Sequence, residues 1–128
     1  GKTTDVSKLW ENLPEQDKFI EAMADAASSI HNKFKDNIAY INVMKNMSVD
    51  CDCCAKAEDP CMKDIGVLAS LDPIAIDKAC IDLVRNSTDE GRDHLLERIE
   101  SRHGEHIIES AVKLGFGTSI YELINIDN

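Results

Sequence analysis

The sequence is short of several features that would have placed it quickly. No apolar run approaches the roughly 20 residues that a membrane-spanning helix needs. The opening stretch, "GKTTDVSKLW", is polar and has no apolar centre of an export signal. Bases are scarce beside acids: 14 Lys and Arg stand against 24 Asp and Glu, a net charge of −10. Such a surface repels phosphate backbones, so neither nucleic acid nor a membrane is an expected partner. No glycine-rich phosphate loop occurs, because "GFG" at Gly115 to Gly117 follows a helical pattern instead of preceding one. Also missing are the strained serine turn of the hydrolases and the H-E-x-x-H pair of the metalloproteases. The doubled C-x-x-C of a closed zinc site and the regular cysteine run of a ferredoxin do not appear either. There is no internal repeat and no low-complexity segment.

What is there fits one globular domain. At 128 residues, with 43% apolar and 30% charged, the chain can fill a single core. It begins with Gly1 in place of Met, which reads as a cleavage scar and leads us to expect a piece of a longer protein. The five cysteines are unevenly spread: four fall within "SVDCDCCAKAEDPC", Ser48 to Cys61. An odd, clustered set argues against a disulfide framework, and with no export signal we expect a reducing, cytoplasmic setting. There, clustered thiols point to metal or redox chemistry more than to bridges.

Periodicity gives an α/β reading. Residues 1–13 look like a lead-in. Pro14, Glu15 and Asp17 mark a helix start, and Phe19, Ile20, Met23, Ala27, Ile30 and Phe34 extend one amphipathic helix to about Lys35. "NIAYINVM" predicts a strand over Ile38–Met44, and "DIGVLAS" one over Ile65–Ala69, covered on both faces. Asp72-Pro73 is an N-cap followed by proline at the first helical position, opening a helix to about Arg85. "STDE" at Ser87 to Glu90 has capping-box form and predicts a helix to about Arg102. A further helix over Glu105–Leu114 should close at Gly115, and "SIYELINI" should be a last strand. The sum is about four helices and a small, three-stranded sheet that would form part of a larger sheet in the parent protein.

Two constellations could carry chemistry. Cys51 and Cys53 are two apart, so on extended backbone both thiolates point the same way and can grip one cation, with Cys54 facing away. Cys51 and Cys54 alternatively make a C-x-x-C pair suited to a turn. The neighbouring acids Asp50, Asp52, Glu58 and Asp59 disfavour a thiolate unless a cation compensates both kinds of group. Metal or cluster binding, redox exchange and unliganded structural thiols all stay open. The second constellation is "SLDPIAID". Asp72 is explained as a cap, whereas Asp77 falls inside the apolar arc of Ile74, Ile76, Ala79, Cys80, Ile81, Leu83 and Val84. A carboxylate on a buried face must be hydrogen-bonded, paired or metal-bound. His103 and His106 read as a surface pair at a helix start, and His31 and His94 have no evident partner in the sequence.

The stretches "CDCC" (Cys51 to Cys54), "DIGVLASLDPIAIDKACIDLV" (Asp64 to Val84) and "KLGFGTSIYELINI" (Lys113 to Ile126) carry a resemblance. Together they resemble the C-terminal part of the prokaryotic domain-of-unknown-function family 362, commonly described as iron–sulfur-cluster-binding. The pattern falls on Cys51, Asp52, Cys53, Asp64, Asp72, Pro73 and Asp77, and does not require cysteine at Cys54, Cys61 or Cys80. Members often carry a ferredoxin-like insert with its own cluster cysteines, and that insert is missing here. The resemblance therefore implies the end of a longer redox protein, with the iron–sulfur cluster in the remainder of the parent chain and a redox protein as partner. It also implies a mixed thiolate and carboxylate site for zinc or iron, drawn from Cys51, Cys53, Cys54, Asp52 and Asp77.

A structural or interaction domain, with a zinc-bound or metal-free cysteine loop, is the alternative. A catalytic role for Asp77 as a general base is a third reading. Strand direction bears on all of them. Parallel strands would bring the cysteine loop and Asp72/Asp77 to one rim, where open α/β sheets bind ligands. Antiparallel strands would leave the two constellations at opposite ends, roughly 15–20 Å apart.

Overall fold

The computed structural model describes residues 15–50 and 55–127. The expected lead-in, and Cys51, Asp52, Cys53 and Cys54 with it, lie outside the described residues. Helix α1 runs Gln16–Phe34, strand β1 Tyr40–Met44, strand β2 Gly66–Ser70, and helices α2, α3 and α4 Pro73–Asn86, Arg92–Ser101 and His106–Leu114. A single 3-10 turn at Lys35–Asn37 joins α1 to β1. The class is α/β with four helices, as the periodicity implies.

The sheet departs from expectation in size and cover, and its direction settles the open alternative. Among the described residues it has two strands, and they are antiparallel, with Tyr40 opposite Ser70 and Met44 opposite Gly66. One face carries Tyr40, Asn42, Met44 and Leu68 and is covered by α2. The other carries Ile41, Val43 and Val67, each more than 60% exposed, so β2 is open on one side instead of covered on both. "SIYELINI" forms no strand. Residues 117–127 have an exposed, strand-like pattern but find no sheet edge among the described residues. Alternating hydrophobicity prepares a segment for a sheet, and pairing still requires a partner edge.

The helices meet their predicted signals unevenly. Asp72 caps α2 as expected: its Oδ1 accepts from Ile74 N–H at 2.8 Å and Ala75 N–H at 2.9 Å. Gly115 closes α4 in the left-handed region (φ 77°), donating to the Ala111 and Val112 carbonyls. Helix α3, by contrast, starts at Arg92, five residues past Ser87. Ser87 ends α2 instead, and Asp89 is drawn into a turn by accepting from Gly91 N–H at 2.9 Å.

Helix α1 uses a different face from the one its large residues suggest. Ile20, Ala24 and Ser28 are buried, whereas Phe19, Met23, Ile30 and Phe34 are 40–57% exposed. Its contact is with α4, where Ser110 and Ala111 are buried in turn. Small residues on both helices allow close approach of the backbones, which favours this face over the bulkier one.

Two apolar clusters result. Ala24, Ile74, Ile108, Ala111 and Phe116 join α1, α2, α4 and the chain after α4. Met44, Met62 and Val84, with Leu68, Leu95 and Leu96 around them, join the sheet, the β1–β2 connection, α2 and α3. No helix among the described residues is long and apolar enough to cross a membrane.

Candidate functional site: the cysteine loop and its stems

The connection between β1 and β2 is zipped from its base. Ile65 N–H donates to the Met44 carbonyl at 2.9 Å, and Cys61 N–H to that of Met47 at 2.9 Å. Asn46 takes a left-handed conformation (φ 51°), which asparagine tolerates well, and its N–H donates to Asp64 at 2.9 Å. Further out, Ser48 Oγ donates to the Glu58 carbonyl at 2.8 Å, and Glu58 N–H to Asp50 Oδ2 at 3.1 Å. The two stems on either side of the cysteines are therefore tied to one another. Val49 and Met62, on the two stems, are buried at 8% and 7% exposure.

The stems are also fixed to the body. Arg98 on α3 donates through Nη1 to the Val49 carbonyl at 3.2 Å and to Asp50 Oδ1 at 3.0 Å. Lys63 N–H donates to Asp89 Oδ2 at 3.1 Å. Gly91 lies so close to the Cys61 carbonyl that a Cβ there would overlap it. His94 Nε2 stands 3.8 Å from Glu58. The turn between α2 and α3 thus serves as a cradle for the loop.

These contacts revise the electrostatics expected of the loop. The Glu58 N–H first, then the Arg98 guanidinium, hold the Asp50 carboxyl below the ordinary carboxylate value. Both of its oxygens are occupied, so Asp50 is a structural brace. Its charge is offset by Arg98 and weighs less against a nearby thiolate than the bare sequence implies. Glu58 has a similar, looser neighbour in His94.

The second constellation stands elsewhere. Because the strands are antiparallel, the loop leaves the Met44–Gly66 end and Asp72 follows the Ser70 end, about 14 Å away along the strand. Convergence on one rim, which needed parallel strands, does not occur. Asp72 spends both oxygens on backbone: besides the two cap bonds, its Oδ2 accepts from Thr118 N–H at 2.9 Å. Asp77 is exposed, contrary to its place in the apolar arc. Its Oδ1 accepts from the Asn42 amide at 2.8 Å, and the same nitrogen lies 3.4 Å from Cys80 Sγ. The need for a compensating ligand, which rested on burial, therefore falls away for Asp77, and so does the premise of a buried general base. Burial first, with the Asp77 charge adding to it, pushes the Cys80 thiol up, while the Asn42 contact opposes them.

Among the described residues no group of three or more His, Cys, Asp or Glu side chains is arranged to hold a metal ion. Cys61 and Cys80 are free thiols on different elements. Cys61 Sγ turns back to the Met47 carbonyl at 3.4 Å.

Comparison with known families decides one question. The family described as "Domain of unknown function (DUF362)" matches residues 3–82. The chain belongs to this family. The DUF362 match takes in "CDCC", both strands and α2 as far as Asp82, and stops short of Lys113 to Ile126. The cradle in the α2–α3 turn, and Arg98 on α3, therefore lie beyond the matched segment, although they hold the stems inside it. No curated protein and no solved structure matches the chain.

Sequence reading missed the residues that build this site most directly. Arg98, Asp89 and Gly91 look like helix-surface or capping residues in "STDEGRDHLLERIES". Only their distant partners give them a role. His103 and His106 likewise pair across the fold, with Asp17 at 2.7 Å and Glu21 at 3.1 Å, and His31 Nδ1 lies 2.9 Å from the Tyr40 hydroxyl.

Proposed function

We propose that this DUF362 chain is the C-terminal α/β domain of a cytoplasmic, iron–sulfur-associated redox protein. In this reading Cys51 and Cys53, with Cys54 and Asp52 beside them, bind zinc or iron or face the cluster of the parent chain's ferredoxin-like module. The observation that carries it is the double anchoring of the loop stems, by Asp50–Arg98 on one side and Cys61–Gly91 on the other. Both anchors hold the ends of the loop at a fixed place on the body, as contact with a metal or cluster requires. Two alternate thiolates and a carboxylate are a donor set that zinc and iron accept, and a cation there would stabilise the thiolates amid the surrounding acids. The open sheet face and the strand-patterned segment after α4 support packing against the rest of the parent chain. Asp77, whose Oδ1 accepts from Asn42 midway along β1, is left out of this set.

A metal-stabilised or metal-free interaction domain is the second reading, favoured by the same open face at Ile41, Val43 and Val67. Metal analysis and visible absorption of the chain, purified without oxygen or chelator, separate the two. Iron with a visible absorption band that disappears in Cys51→Ser and Cys53→Ser supports the iron–sulfur reading. Zinc near one equivalent, lost in the same variants, supports the interaction domain with a metal-bound loop. Neither metal above trace, with all five thiols freely titratable, sinks metal binding by this chain.

A further inference from the structure

Helix α1 carries two apolar stripes, and α4 covers one of them. The second consists of Phe19, Met23, Ala26, Ala27, Ile30 and Phe34, all exposed, within about 100° of arc. Its order is symmetric about the midpoint between Ala26 and Ala27. Phe19 matches Phe34, Met23 matches Ile30, and Ala26 matches Ala27, each pair equidistant from the centre. The stripe is about 22 Å long from Phe19 to Phe34.

We propose that this stripe is a two-fold interface, on which α1 of a second copy of this chain packs antiparallel. A surface that mates with itself about a two-fold axis must be self-complementary along its length. In the antiparallel alignment each Phe19 meets the other copy's Phe34 and each Met23 its Ile30. The four alanines lie at the crossing, where small side chains let two helix axes approach closely. Reversing the partner also opposes the two helix dipoles. Glu15, the N-cap of α1, whose carboxylate lies 3.4 Å from Lys18, and Lys33, 18 residues on, stand at opposite ends of the stripe. The two-fold therefore brings one copy's Glu15 to the end that carries the other's Lys33. A parallel pairing would instead set Phe19 on Phe19 and Lys33 on Lys33.

The test is sedimentation velocity of the chain in reductant, from a few micromolar to several hundred micromolar. The expected species is a dimer of twice the 14.2 kDa chain mass. Ile30→Glu and Phe34→Lys, at positions 57% and 49% exposed, should each raise the dimer dissociation constant at least about thirtyfold with unchanged far-ultraviolet circular dichroism. Phe34 ends the helix, so its variant keeps the test valid should Ile30→Glu disturb folding. Val43→Glu, on the open sheet face, should leave the dimer intact. A monomer throughout the range overturns the proposal. So does a dimer indifferent to both α1 variants, or one broken by Val43→Glu alone.

Discussion

The stems of the β1–β2 connection, residues 45–50 and 55–65, and residues 117–127 are held in contrasting ways. The β1–β2 connection is polar and acidic around its cysteines, yet backbone bonds, a half-buried ion pair with Arg98 and a glycine contact fix both of its stems. The segment after α4 is rich in Ile and Leu, yet Ile120, Leu123, Ile124 and Ile126 remain 53–86% exposed. Its ties are Thr118 N–H to Asp72, the Tyr121 hydroxyl to Asp82 at 2.9 Å, and Phe116 in the core. Hydrophobicity alone would rank the two the other way. Burial follows the available partners: the loop meets a cradle on α2–α3, while the apolar segment meets no sheet edge among the described residues.

The largest effect should come from the cradle. Gly91→Ala places a Cβ against the Cys61 carbonyl, a backbone group that cannot swing aside, and should cost about 2–3 kcal/mol in denaturant unfolding. A cost under about 0.5 kcal/mol would mean that the stem shifts freely, and the contrast between the two regions would weaken.

Asp72→Ala tests the other region. It removes two cap bonds and the tie to Thr118, so a loss of about 1–2 kcal/mol is expected in the same experiment. Hydrogen exchange should speed up at Thr118 and at the first turn of α2, and stay unchanged in residues 55–61.

Arg98→Met should act locally. It keeps the aliphatic stem and removes the bonds to Val49 and Asp50, so amides of residues 55–61 should exchange roughly tenfold faster. Equal acceleration after α4 would show that the two regions are not independently held.

The smallest effects are those of pH. Asp50 and Asp89 are held below the ordinary value of 3.8 chiefly by backbone N–H groups, and Asp82 chiefly by Lys78. A depressed folded-state value contributes stability above pH 3.8, and that contribution disappears as pH falls through the folded value. Acid should therefore loosen both regions below about pH 4. His106 has the opposite sign. Glu21 first raises its folded value above 6.5, so its contribution is complete below that pH and is lost as pH rises through the folded value. The readout is exchange at the α1–α4 contact across pH 5–9, where His106→Gln should flatten the profile.

Much of the fold was legible because it rests on local signals. The Asp72-Pro73 cap, the Gly115 stop and the two strand patterns each depend on residues within a few positions of one another. The cysteine stretch, too, was visible at once. What escaped were choices between faces and partners. The large residues of α1 suggested the wrong core face, since the small residues Ala24 and Ser28 fit α4 more closely. Asp77 sat in an apolar arc on paper, but the end of that arc opens beside Asn42.

By itself, then, the sequence determined the class, the helix boundaries set by caps, and membership of DUF362. It also determined where the thiols cluster. Tertiary structure decided strand direction, and with it the separation of Asp72 from the stems of the cysteine loop. It also decided that Arg98, Asp89 and Gly91 hold the stems of that loop. Local signals act through bonds within one or two turns, whereas direction and partnership depend on which distant surfaces pack best together.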